Sequence, residues 1–161
     1  MDRNLFLGEC AKHLDEGRRR LHHCLGLLDD ARAWHRPNRN TVSVGNLVLH
    51  LCGNVDQWVN ATLGGTEDTR ARDREFDEPG PIPRGELLAL LDRTVDRALA
   101  VIATVEEEQL ARTCRVQAFE VTGTGILLHV VEHFSYHVGQ VTLHTKLMLD
   151  TDTGYYSGIS L

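Results

Sequence analysis

Apolar residues recur along this chain at helical spacing in four separate stretches. Leu7, Ala11, Leu14, Leu21, Leu25 and Leu28 stand three, four or seven residues apart and share one stripe, which predicts a helix from about Arg3 to Leu28. Gly17 and Gly26 lower its propensity without breaking the pattern. Pro37 and two asparagines make Trp34 to Asn40 a connector. A second helix is expected to begin at Ser43, a good N-cap, and to stop at Gly64-Gly65; Val44, Leu47, Val48, Leu51, Val55, Trp58 and Val59 form its apolar face. Leu87, Leu88, Leu91, Val95, Leu99 and Ile102 predict a third over Arg84 to Val105. The fourth should run from Thr122 or Thr124 to about Leu149.

Two stretches interrupt this pattern. Thr66 to Pro83 is polar, contains three prolines and is too long for a simple helix hairpin, so it predicts a crossover connection or a functional loop. Cys114 to Val121 alternates loosely and carries β-branched residues; it reads as a short extended segment, an isolated strand with nothing to pair with. Four long amphipathic helices without a credible sheet predict an all-α fold, a four-helix bundle with a long crossover, in a single domain over residues 1–161.

The fourth helix also carries the candidate chemistry. At 100° per residue, His129, His133, His137 and His144 fall at about −40°, 0°, +40° and +20°, and Gln140 at about −20°. Ile126, Val130, Val141 and Met148 share or border that arc, so the histidines should face the interior, with Ser135, Gly139, Thr142 and Lys146 towards solvent. A buried, unsatisfied polar ring costs about 1–3 kcal/mol. One divalent transition metal would satisfy several neutral imidazoles at once. His133 and His137, four residues apart, can converge on one ion. A third ligand should come from another helix. His50 is the histidine of the second helix, on the shoulder of its apolar stripe; spacing alone also allows a half-exposed surface residue.

Composition narrows the classes. The formal charge of −6 disfavours sequence-independent nucleic-acid binding. The charged start, Met1 to Arg20, lacks the apolar region of a signal peptide, and no apolar run approaches the roughly 18 residues that span a bilayer. A cytoplasmic protein without a membrane partner is expected. Cys10, Cys24, Cys52 and Cys114 show no CxxC spacing and read as reduced thiols.

Several of these residues resemble a known family. Asn46-Leu-Val-Leu-His50-Leu-Cys-Gly-Asn54, Gly64-Gly65 and the Asp68/Arg70/Arg72/Glu75/Phe76 run look like the first signature of the DinB-like metalloprotein superfamily. Val131-Glu-His133-Phe-Ser-Tyr-His137-Val-Gly139-Gln140 resembles the second, and the likeness to small bacterial members extends from about Leu5 to Tyr156. The resemblance implies a four-helix bundle whose metal ligands are His50, His133 and His137, with zinc or nickel as the usual ion and a homodimer as the usual assembly. Some relatives use a low-molecular-weight thiol (mycothiol, bacillithiol or glutathione) in transfer or isomerisation of small-molecule substrates.

The open position of a three-histidine site suits catalysis. A metal-dependent S-transferase is therefore the leading expectation, with a metal-dependent hydrolase and a non-catalytic metal-binding bundle as alternatives. His129 and His144 are candidate extra ligands or supports, as are Asn54, one turn beyond His50, and Gln140, three residues beyond His137. Arg70 and Arg72 could meet an anionic substrate, or form part of a solvated, salt-bridged loop with Glu67, Asp68, Asp73 and Glu75. Tyr136 flanks the stripe and could pack or hydrogen-bond near the metal. Cys52, about 200° from His50 on the wheel, is a poor fourth ligand.

Overall fold

The computed structural model describes residues 2–160. Asp2 caps α1 (Arg3–Leu27) by accepting from the Leu5 amide at 3.1 Å. A single-turn α2 (Asp30–Ala33) follows. Ser43 starts α3 (Val44–Val55) through a reciprocal capping box: the Asn46 amide donates to Ser43 Oγ at 3.1 Å, and the Ser43 amide to Asn46 Oδ1 at 3.2 Å. The helix does not run on regularly to Gly64. Its continuation, Asp56–Ala61, is π-helical, yet Trp58 and Val59 are buried there as their place on the apolar stripe predicts.

The long connection holds a short α4 (Arg72–Asp77) and leads to α5 (Arg84–Thr104), α6 (Glu107–Ala111) and, after a hairpin, α7 (Gly123–Leu149). The expected lone strand is corrected here. Thr113–Val116 (β1) pairs antiparallel with Phe119–Thr122 (β2), so the segment supplies its own partner through a tight turn in which Gln117 takes φ 55°. β2 packs against α7.

α1 packs against α5 and α7, and α3 against the same two, so the four long helices close a bundle. Leu14, Leu21 and Leu25 from α1, Leu51 from α3, Leu87, Leu91 and Ile102 from α5, and Ile126, Leu127 and Phe134 from α7 fill its centre. None of the described helices is long and apolar enough to cross a membrane.

Several contacts fasten the crossover to the rest of the chain. Trp34 donates from Nε1 to the Ile82 carbonyl at 2.9 Å, and its ring lies against Gly80, at φ +64°, where any side chain would collide with it. Nearer the site, Asn46 Nδ2 donates to the carbonyls of Glu75 (3.0 Å) and Glu78 (2.9 Å). The residue that completes the α3 cap thus also holds α4 against α3.

Candidate metal centre

α3 delivers His50, which is buried, and α7 delivers His133 and His137, both half-buried. One ring nitrogen from each lies within 4.8 Å of the others. The ring centroids of His50 stand 4.9 Å from those of both His133 and His137, which are 4.5 Å apart. His50 Nε2 approaches His133 Nε2 to 3.1 Å. The burial of His50 decides against the half-exposed alternative.

Two rings have their outer nitrogens occupied. His50 Nδ1 lies 2.8 Å from Glu75 Oε2, and His137 Nδ1 2.6 Å from Gln140 Oε1. Both partners are acceptors, so each Nδ1 carries the proton and each Nε2 presents a lone pair to the cluster. Arg70 completes the support by donating from Nε to Glu75 Oε1 at 2.7 Å and from Nη2 to Glu75 Oε2 at 3.0 Å. The 3.3 Å approach of Arg70 Nη2 to His50 Nδ1 joins two donors that share Oε2, and is not a bond in its own right. Burial pushes the Glu75 carboxyl up, but the hydrogen bonds and charge of His50 and Arg70 outweigh it and hold the group below its ordinary value.

The donor set fits a divalent transition metal. With the His50 and His137 lone pairs turned inward, His133 has no good proton arrangement of its own. A proton on His133 Nε2 can bridge to His50, but leaves Nδ1 buried without a partner. A proton on Nδ1 leaves two lone pairs facing each other at 3.1 Å. A cation among three neutral imidazoles removes that conflict. The rings are poised for it: burial, reinforced by His137, His50, His129 and Arg70, brings His133 down to about 3. Burial also lowers His137, against the opposing effect of the hydrogen bond its Nδ1 donates to Gln140.

The remaining candidates fall around this core. His129 and His144 lie outside the converging group. The His129 ring stacks on Trp58 at a centroid distance of 4.0 Å, and its Nε2 is 3.4 Å from Asn54 Nδ2. His144 has a buried Nδ1 without a partner, and burial followed by the proximity of His35 lowers its pKa. Tyr136 is largely exposed and meets the His137 ring edge-on at 5.0 Å. Arg70 departs from the solvated-loop expectation: its side chain is 3% exposed and committed to Glu75. Glu75 itself is the residue that sequence reasoning missed, having been grouped with the loop's surface charges. Its place in the Asp68-to-Phe76 run was the available signal.

A recess of about 120 Å³ opens onto His50 and His133, walled by Trp58, Phe119 and His129. A larger one, about 370 Å³, lies on the far side of the Arg70–Glu75 pair and reaches none of the histidines. The smaller recess is the relevant one, because only it adjoins the converging nitrogens.

Fold and site together define a helical bundle carrying a three-histidine cluster that could hold a metal ion. The family model described as the DinB superfamily matches residues 13–141, and the chain belongs to that family. Among curated proteins none matches the chain. Among solved structures, the chain is similar to a conserved protein from Enterococcus faecalis (19% identity, 89% of this chain and 97% of that one, TM-score 0.75). It is also similar to a DinB-like protein from Bacillus subtilis (19% identity, 94% and 99%, TM-score 0.71). A mycothiol-dependent maleylpyruvate isomerase shares the fold at 17% identity and TM-score 0.67; the match takes in 84% of this chain but 60% of the isomerase.

Proposed function

We propose that the protein is a metal-dependent S-transferase that joins a low-molecular-weight thiol to a small electrophile. The observation that carries this reading is the convergence of His50, His133 and His137 beside a recess with aromatic walls. A zinc or nickel ion held by these three nitrogens would supply a Lewis acid that favours the thiolate at neutral pH.

The chain's own residues set the conditions. Glu75 and Gln140 hold the protons of His50 and His137 away from the cluster, and Trp58 and Phe119 line one side of the recess with aromatic surface. In the proposed reaction the thiol proton passes to solvent. The sulfur then forms a bond to an electrophilic carbon, and either a leaving group departs with its electron pair or the π pair moves to the neighbouring carbon, which takes up a proton from solvent. The fold shared with the mycothiol-dependent isomerase supports the choice of thiol. The same reading includes a homodimer; the exposed Leu128, Leu143 and Leu147 on α7 support it, and a species of only 18.1 kDa in sedimentation at tens of micromolar would contradict it.

Titration of the Co²⁺-loaded protein with mycothiol, bacillithiol and glutathione tests the transferase reading. One of them should produce a sulfur-to-metal charge-transfer band in the near ultraviolet, and His50→Ala should abolish it. If no thiol alters the cobalt spectrum at millimolar concentration, S-transfer fails as the function.

A further inference from the structure

The recess that adjoins the histidines is small for the chemistry proposed there. At about 120 Å³ it lies below the span of drug-sized ligand sites, about 300–1,000 Å³, so with its walls as they stand it holds no tripeptide-sized thiol. Most of those walls are firm. Asn54 and Trp58 are buried on α3 and its continuation, and Arg70 is buried against Glu75. Arg72 lies with its guanidinium carbon 4.9 Å from the centroid of Phe76, whose ring packs on His50 at 4.7 Å. The remaining wall, Gln117 and Phe119, belongs to the β1–β2 turn.

The hairpin is fixed at its base and lightly tied at its tip. At the base the Gly123 amide donates to the Arg112 carbonyl at 3.1 Å, and Thr124 Oγ1 to the Leu110 carbonyl at 3.2 Å. Of Thr113–Thr122 only Val116 is buried, and it anchors the ladder in the core. Beyond it Gln117, Ala118 and Phe119 are exposed, and Gln117 takes φ 55°, which L side chains rarely adopt. Among the described residues one hydrogen bond joins this tip to the rest of the chain: Gln117 Nε2 donates to Gln57 Oε1 at 2.7 Å. Gln57 Oε1 also accepts from Arg70 Nη1 at 3.0 Å, and Gln57 Nε2 donates to Asp68 Oδ2 at 2.9 Å, so the acceptor stays in place when Gln117 leaves it. The Phe119 ring leans on Trp58 at a centroid distance of 6.3 Å, yet is 56% exposed. A solvated side-chain bond and a half-covered ring are weak ties, and a two-stranded hairpin has little stability of its own. Such a segment opens more readily than the helices around it. Only the Val116–Phe119 rung has to part, and Val116 keeps its place in the core.

We propose that Gln117, Ala118 and Phe119 form a gate over the metal centre, latched to Gln57, and that its opening enlarges the recess for a ligand larger than the closed state holds. The S-transfer reading enters only in naming a thiol as that ligand; the motion belongs to the chain without one. Gln117 is a positioning residue that acts by holding Phe119 over the recess.

Relaxation-dispersion NMR of the zinc-loaded full-length protein, with no thiol present, tests the motion. Millisecond exchange is expected at the amides of Gln117, Ala118 and Phe119 and at the Trp58 indole, with none in α5. Gln117→Asn tolerates the positive φ but is too short to reach Gln57, so it should raise the open population about tenfold with zinc content unchanged. Access is read on the Co²⁺-loaded form. Azide, which fits the closed recess, should bind at the same rate in wild type and variant, whereas the bulkier 4-phenylimidazole should bind about tenfold faster in Gln117→Asn. Flat dispersion at the tip in both proteins would overturn the gate, as would 4-phenylimidazole behaving alike in the two. A gate that opens while no thiol alters the cobalt spectrum would count against S-transfer and leave the gate standing.

Discussion

The carboxylate of Glu75 occupies the space that a side chain at Gly53 would fill: a Cβ built on Gly53 collides with Glu75 Oε1 and Cδ. Gly53 follows His50 by three residues on α3, so the absent side chain lies close to the ring that Glu75 steadies. The Glu75 position is held by the Asn46 amide on its backbone, Arg70 on its carboxylate and the open space over Gly53. This arrangement fixes the His50 tautomer before any ion arrives.

Gly53→Ala should therefore weaken metal binding without touching a ligand. Glu75→Gln should do so as well, because an amide can offer His50 its N–H in place of the acceptor oxygen. Loss of a support of this kind typically costs about 10–100-fold in metal affinity. Competition against a zinc chelator would measure it, and long-range ¹H–¹⁵N spectra of the metal-free variants would report the His50 tautomer. Wild-type zinc affinity and an unchanged tautomer in both variants would sink the proposed role of Glu75.

Acid should destabilise the metal-free protein beginning well above the carboxylate range. Burial brings His133 from its ordinary 6.5 down to about 3, and burial also lowers His129, His137 and His144. Between those limits the unfolded chain binds protons that the folded chain refuses, so stability is full above pH 6.5 and falls as pH drops through the window. Glu75, also lowered, adds a loss of the same sign below about 4.5. Urea midpoints at pH 7.5, 6, 5 and 4 should decline steadily, and His133→Gln should flatten the decline. A midpoint constant from pH 7.5 to 5 would contradict this.

Much of this was legible in the sequence. The period of the leucines set out the four long helices, and the arc from His129 to His144 singled out the face of α7 that meets His50. The histidine wheel could not separate ligands from neighbours, because His129 is drawn to Trp58 and Asn54 by contacts with another helix. The β-hairpin was hidden because its turn uses Gln117-Ala118, without the glycine or asparagine that usually marks a positive φ. The burial of Arg70 and Glu75 was hidden because a run of alternating charges carries no periodicity to say which pair turns inward. That information lies in Gly53 and Asn46, on a different element.

The cysteines should differ sharply in reactivity. Burial, then Glu9, pushes the Cys10 thiol to about 11, and burial, then Asp56, pushes Cys52 to about 12. Cys114 is only half-buried. Iodoacetamide at pH 7.5 should label Cys114 first in the folded protein, and Cys10 and Cys52 only after unfolding. Peptide mass spectrometry would follow the order, and rapid labelling of Cys52 in the native state would show that α3 opens more readily than its packing implies.

The central claim is that His50, His133 and His137 together hold one ion. Metal content after loading and desalting, measured on protein purified without a histidine tag, tests it most directly. The account predicts about one zinc or nickel ion per wild-type chain, loss of the ion in His50→Ala, His133→Ala and His137→Ala, and retention in His129→Ala and His144→Ala, with all variants showing wild-type helical content. Emptying of the site by His129→Ala alone, or full occupancy in His133→Ala, would contradict it.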